Sequence, residues 1–233
     1  MTRICTICAR GGSKGVPGKN LAMIAGAPLI AHTIRHARES HLFAAIVVSS
    51  DSPEIRAAAA RFGADLAVNR PDRLAGDHAS KIDAIRHAVV VGEVELGISP
   101  RTVVDLDATS PLREPSDIAG AVALLETSGV RSVITGARAR RSPYFNLVER
   151  RDDGTVAVSK TPSAAVVRRQ DAPPSFDMNA SIYVWTRDAL VDEPAVFYPD
   201  TLLYEMPEER SLDIDSPLDF EIVSYLMNRR KTQ

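Results

Sequence analysis

The sequence predicts a doubly wound α/β fold with a mostly parallel sheet. Apolar runs of strand length alternate with segments of helical period through the first half of the chain. A glycine-rich, basic loop directly follows the first apolar run, where open α/β sheets bind ligands. The length of 233 residues, 45% of them hydrophobic, suits one α/β domain spanning 1–233.

Ile4–Cys8 reads as the first buried strand. Pro28 opens a helix with Leu29, Ile30, Thr33, Ile34 and Ala37 on one face. Ala45–Ser50 is a second strand, and Asp51-Ser52-Pro53 caps a helix that stops at Gly63. Asp65–Val68 is a short strand. Ser80 to about Val91 is helical on the stripe Ile82, Ile85 and Val89. Thr102–Leu106 is a strand, Ser116 caps the next helix, and Arg131–Thr135 returns as strand. The order implies right-handed crossovers.

The pattern then changes. Asn146–Arg150 and Thr155–Ser159 flank Asp153-Gly154, a hairpin turn signal. Residues 138–176 are rich in polar residues and proline. They read as a small β-rich excursion serving an oligomer contact or a lid. Ser181–Trp185 is strand, and Pro217 starts a final amphipathic helix.

Charge and cysteine narrow the function. The net charge of −2 disfavours a broad nucleic-acid surface. No apolar run reaches membrane-spanning length and no secretory leader is recognisable, so a cytoplasmic location is expected. Cys5 and Cys8 form C-x-x-C, but residues three apart in a strand face opposite sides. No second pair exists, so both read as core residues rather than a redox or metal motif.

The opening loop runs Ala9-Arg10-Gly11-Gly12-Ser13-Lys14-Gly15-Val16-Pro17-Gly18-Lys19-Asn20. Its glycines let backbone N–H groups turn toward an anion, and Arg10, Lys14 and Lys19 add cations. That suits a polyphosphate better than it suits an ordinary surface loop. The P-loop pattern G-x-x-x-x-G-K-[ST] fails: one residue too many separates Gly12 from Gly18, and Asn20 replaces the hydroxyl. The dinucleotide pattern G-x-G-x-x-G is absent. Asp105 and Asp107 share one face at the end of a strand and are placed to meet a cation. In Ser211-Leu212-Asp213-Ile214-Asp215, alternation puts Asp213 and Asp215 together, a donor pair suited to Mg²⁺ with substrate phosphates. A role of Asp215, Ser216 and Asp219 in capping the Pro217 helix is the competing account. A polyphosphate loop with two carboxylates points to phosphoryl or nucleotidyl transfer.

Taken together, ARGGSKGVPGKN, TSPLR and DIDSPLD resemble the acylneuraminate cytidylyltransferases, or CMP-sialic acid synthetases. The resemblance spans Ile4 to about Val223. The segments Cys5–Arg10, Leu106-Asp107-Ala108, Pro143–Glu149 and Asp177–Tyr183 look most like the bacterial CMP-legionaminic acid synthetases, which serve flagellin glycosylation. The resemblance implies a Rossmann-like nucleotidyltransferase fold, a homodimer built through the excursion, and Mg²⁺ as cofactor. It implies that CTP and a nonulosonic acid give a CMP-sugar and pyrophosphate. Arg10, Ser13 and Lys19 would hold the triphosphate with the loop glycines Gly11 and Gly12, and Lys14 would assist. Asn20, Arg70 and Ser80 would meet the nucleoside. Asp213 and Asp215 would bind the metal, and Asp215 would also assist deprotonation of the sugar. Asp107, Arg169, Asp177 and Asn179 would face the sugar, Arg169 its carboxylate.

The chain departs from the sialic acid enzymes at two places, having Asp107-Ala108 for Gln-Pro and Asp177 for an arginine. Both departures argue against ordinary N-acetylneuraminate as the best substrate, and the resemblance implies legionaminic acid or its N,N′-diacetyl form. N-acetylneuraminate, pseudaminate or an eight-carbon ulosonate are the alternatives within the class, and a non-catalytic nucleotide-sugar-binding protein the alternative outside it.

Overall fold

The computed structural model describes residues 1–161 and 172–231. A seven-stranded sheet forms its centre, built from β1 (Arg3–Cys8), β4 (Ala45–Ser50), β5 (Leu66–Asn69), β6 (Thr102–Leu106), β7 (Ser132–Arg138), β10 (Phe176–Thr186) and β11 (Leu202–Glu205). The spatial order is β11-β7-β10-β6-β1-β4-β5. Only β10 runs against its neighbours, pairing antiparallel with both β6 and β7. The sheet is therefore mostly parallel, with one reversed strand inside it.

Helices cover both faces. On one side, α1 (Leu29–Glu39), α2 (Pro53–Arg61) and α4 (Pro115–Ser128) bury Ile34, Ile55 and Ile118 against Cys5, Ile46 and Val104. On the other, α3 (Lys81–Leu96) and α5 (Arg187–Asp192) bury Val89 and Leu190 against Ile4, Val47 and Val103. Strand alternation explains the division: Ile4 and Cys5 are neighbours in sequence and lie in different layers. Cys5 and Cys8 also separate this way, and both are free thiols, as expected of core residues.

A third, smaller cluster joins Ile24, Leu29, Leu112 and Ile214 to Val223 and Met227 of α6 (Pro217–Lys231). It packs the last helix near the short hairpin of β2 (Met23–Ile24) and β3 (Ala27–Pro28).

Several expectations are corrected. The helix cap lies two residues earlier than Ser116: Glu114 is the N-cap of α4 and forms a capping box with Asp117, while Pro115 takes the first helical position. The segment 211–215 is extended but joins no ladder, so it is not a strand; Ile214 is tied instead to the Thr109 carbonyl. β10 begins at Phe176 rather than Ser181, so the excursion gives way to the sheet there. α6 is not cleanly amphipathic, because Leu218, Ile222 and Tyr225 are exposed while Val223 and Met227 are buried. Within the described part of the excursion, β8 (Val148–Arg150) and β9 (Val156–Val158) form the expected hairpin, separate from the main sheet.

Candidate active site

Four parallel strands end at one edge of the sheet, and each delivers polar residues there. β1 leads into the loop 9–20, β4 into Asp51, β5 into Arg70 and β6 into Asp107. Hydrogen bonds fix the loop at its root: Ala9 N–H donates to the Ser49 carbonyl at 3.0 Å and Gly11 N–H to Asp51 at 2.9 Å. Gly12 and Ser13 lie beyond that root, and Ser13 N–H turns back to the Gly11 carbonyl. Gly18 is left-handed, with φ of +67°, and starts the 3₁₀ turn Lys19–Leu21.

Asn20 is buried beneath the loop and donates to the Arg10 carbonyl at 3.0 Å. Its side-chain oxygen is buried without a partner. The structure thus places Asn20 as a brace of the loop, facing inward. Arg10 and Lys14 converge on Asp77, at 3.0 and 2.7 Å, and this company holds the Asp77 carboxyl below the usual carboxylate range. Two of the loop's three cations thus gather around one anionic position.

Lys19 points to the opposite side. Its ammonium donates to the Ile214 carbonyl and lies 3.3 Å from the Asp215 carboxylate. Gly15 touches the same segment: a Cβ there would stand 1.9 Å from the Asp215 carbonyl oxygen. The first loop and the segment 213–215 are thus in contact. Ser216 and Asp219 cap α6, since Asp219 accepts from the Ser216 N–H and hydroxyl, each at 2.7 Å. That duty leaves Asp213 and the side chain of Asp215 out of the cap. The Asp213 carboxyl is pushed up to about 6, first by burial and then by the neighbouring Asp215 charge. Two close carboxylates of which one resists ionisation are a donor set that a hard divalent cation would relieve. Among the described residues no group of three or more acidic, histidine or cysteine side chains could hold a metal alone. The pair therefore fits an ion that keeps waters and takes further oxygens from a substrate, as Mg²⁺ does.

A pocket of about 250 Å³ lies between loop and sheet edge, and Arg10, Arg70, Asp77, Ser80 and Asp107 line it. Arg70 is buried, with its guanidinium bonded to the Ser49 hydroxyl (3.1 Å) and carbonyl (2.7 Å). No carboxylate pairs with it among the described residues. Asp107 lies here beside Arg70 and Ser80, so the expected division into a nucleoside side and a sugar side is not visible at this pocket.

The cation that Asp105 and Asp107 meet is a residue that sequence reasoning missed, Lys81. It lies 2.7 Å from Asp107 and 3.4 Å from Asp105. Burial works against the Lys81 ammonium, but Asp107 and Asp105 together outweigh it and raise its pKa. Burial would raise the Asp107 carboxyl likewise, yet Lys81 and the Thr109 N–H and hydroxyl hold it low. Asp105 is wholly buried, and burial wins there, raising its carboxyl despite Lys81 and Thr6. The sequence did carry a signal: a lysine next to Ser80 on an apolar-striped helix, with two like charges awaiting a counterion. Arg113, of the TSPLR segment, is buried and ties the Ser181 and Asp107 carbonyls to the Thr33 hydroxyl.

The remaining predicted residues stand apart. Asn179 is buried and its groups are engaged, accepting from Thr135 at 2.7 Å and donating to Ser211 at 3.0 Å. It ties β10 to the segment before Asp213. Asp177 is exposed on β10, opposite Ala137. Arg169 lies outside the described residues. His36 is kept neutral, its pKa lowered to about 3 by burial and then by Arg113. His32 is buried with a ring nitrogen 2.9 Å from the Ile24 carbonyl, which packs it into the fold.

Comparison with known proteins agrees with this geometry. The cytidylyltransferase family profile matches residues 4–224. Post-translational flagellin modification protein B of Campylobacter coli is 43% identical over 230 residues, covering 99% of this chain and 97% of that protein. The CMP-N,N′-diacetyllegionaminic acid synthase of Campylobacter jejuni is 42% identical over 225 residues, covering 97% and 94%. Among solved structures, a CMP:2-keto-3-deoxy-manno-octonic acid synthetase complexed with CTP superposes with a TM-score of 0.70. It is 20% identical and covers 99% of this chain and 100% of that one, which speaks to the fold. A basic glycine loop held against a carboxylate pair, on a sheet of this order, with a family profile running almost end to end, makes this chain a member of the cytidylyltransferase family.

Proposed function

We propose that this enzyme transfers the cytidylyl group of CTP to a nonulosonic acid of the legionaminate type, releasing pyrophosphate. The observation that carries the reading is the contact of Lys19 with Asp215 across the seam between the loop and 213–215. It sets Lys19, read as a phosphate-binding cation, beside the carboxylate pair read as the metal site. Two relatives of matching length support the sugar class, one named as a diacetyllegionaminate synthase and the other as a flagellin modification protein.

In this reading the anomeric oxygen of the sugar attacks the α-phosphorus, the bond to the β-phosphate oxygen breaks, and pyrophosphate departs. Arg10, Lys14 and Lys19, with Ser13 and the N–H of Gly12, hold the triphosphate and neutralise charge that builds on the leaving group, while the Gly11 N–H stays bonded to Asp51 and anchors the loop. Asn20 keeps the loop in shape from beneath. Arg70 and Ser80 receive the nucleoside. Asp213 and Asp215 would hold the divalent ion, Mg²⁺ in this reading, which would neutralise phosphate charge. Asp215, exposed and next to Lys19, accepts the hydroxyl proton directly or through water. Asp107 shapes the pocket through its ion pair. Asn179 acts by fixing β10 against the segment 211–213, and Asp177 on β10, with Arg169 from its motif, are assigned to the sugar.

The exposed apolar residues of that excursion suit a second copy. Phe145, Leu147, Val148, Val156 and Val158 are each at least 37% exposed on or beside the β8–β9 hairpin. A lone two-stranded hairpin is marginal in water, and a homodimer contact would cover it. No helix among the described residues is long and apolar enough to cross a membrane.

Pyrophosphate release with CTP and Mg²⁺ tests the reading against N,N′-diacetyllegionaminate, N-acetylneuraminate, pseudaminate and 3-deoxy-octulosonate. Preference for the first is expected. Release with none of them, in a folded protein that binds CTP, would overturn the substrate class. Asp213→Asn and Asp215→Asn should each lose turnover, about 100-fold or more given the loss of a charge-stabilising ligand, while part of the CTP binding remains.

A further inference from the structure

Lys81 is absent from the motifs that define the loop and the carboxylate pair, yet it stands in the wall of the same pocket. We propose that Lys81 is a substrate-contacting donor of this site, giving an N–H bond to an uncharged oxygen or nitrogen acceptor of the nucleotide or the sugar acid. The proposal rests on the cytidylyltransferase reading above.

Geometry supplies the donor. An ammonium carries three N–H groups. One is met by Asp107 at 2.7 Å, and Asp105 stands at 3.4 Å. At least one N–H is left over, and 38% of the side chain remains accessible. The Tyr183 ring, 4.8 Å from the ammonium, covers another side. Carboxylates and ring fix the group, so little side-chain freedom is lost when a ligand arrives.

Charge supplies the class of acceptor. One ammonium facing two aspartates has little net positive charge to offer a phosphate, and a phosphate placed there would meet Asp107 as well. An uncharged carbonyl, ring nitrogen or hydroxyl has no such conflict. Arg10, Lys14 and Lys19 have at most one carboxylate apiece, or share one, and suit the phosphates better. Asp107 is correspondingly occupied: one oxygen accepts from Thr109 and the other from Lys81, so the pocket meets the lysine as its donor. A pocket of about 250 Å³ takes one ring-sized part of a ligand rather than both substrates.

The test separates contact from simple charge balance. Lys81→Met removes the donor but leaves Asp107 unpaired. Lys81→Met/Asp107→Asn removes the donor and the unpaired charge together. CTP affinity is read by calorimetry without turnover, and the sugar KM at saturating CTP by pyrophosphate release. In both variants one of these two constants should weaken about 10- to 100-fold, the scale of a hydrogen bond from a charged donor. A change in CTP affinity assigns the contact to the nucleotide, and a change in sugar KM alone assigns it to the sugar acid. Recovery of both constants in the double variant would overturn the proposal, leaving Lys81 as a counterion. So would unchanged constants in a single variant whose only defect is a lower melting temperature. Failure of the wild-type chain to release pyrophosphate with any sugar would instead count against the reaction, and the calorimetric arm would still report on Lys81.

Discussion

Gly15 shows how a single residue joins the two ends of the chain. Its backbone lies against the Asp215 carbonyl so closely that the smallest side chain cannot enter. Gly15→Ala should open this seam at a cost on the scale of overpacking, about 1–3 kcal/mol. A lower melting temperature and weakened turnover, with an unchanged far-ultraviolet dichroism spectrum, are the expected outcome. A variant with full activity would show that the contact is slack. The thiols give a second residue-scale expectation. Burial, and then the Asp105 charge, push Cys8 up to about 12, and Cys5 is also raised well above its ordinary value. The reactive species is the thiolate. Neither cysteine should react with a disulfide reagent at pH 7–8 while the chain is folded, and both should react in denaturant. Rapid modification of the native protein would contradict their burial.

At the scale of elements, the interior joints are side chains that lock a strand to a loop. Asn179 bonds Thr135 of β7, Ser211 and the Ser181 N–H, so Asn179→Ala removes the joint between β7, β10 and the segment 211–213 and takes the Ser181 N–H's acceptor away. A loss of about 1–3 kcal/mol in unfolding free energy is expected from denaturant titration. A neutral result would mean that Ser211 and Thr135 find other partners. Such joints mark the limit of what the sequence discloses. The strands β1, β4 and β6 are legible because each is a short apolar run with a clear stop. The basic loop is legible because glycines and cations crowd together after one of them. β11 is not, because Leu202 is exposed and Leu203 and Tyr204 only half-buried, which leaves no clean alternation. The reversal of β10 is invisible to periodicity, since a strand pattern carries no direction. Asn179 reads as a site residue from its motif, although its polar atoms are spent on the fold. Lys81 is hard to read for a related reason: its partners come from another strand, and the one signal is the pair of like charges at Asp105 and Asp107 that lack a counterion in their own strand.

At the scale of the molecule, the expected quaternary state follows from the apolar hairpin. Sedimentation should report a dimer, and Val148→Glu together with Val156→Glu should yield monomers that retain the central sheet. A wild-type monomer at micromolar concentration would remove the dimer from the reading. The seam between Lys19 and Asp215 has a consequence of timing. Those residues are 196 positions apart, and α6, the last helix, helps to pack Ile214 in place. During synthesis, strands β1, β4, β5 and β6 can leave the ribosome with their crossover helices long before the segment 213–215 exists. The basic loop must wait through almost the whole of translation for its partner. A nascent or truncated chain can therefore possess most of the sheet without the seam, and on the proposed reading a ribosome that stalls late should leave a product that binds CTP weakly and does not turn it over.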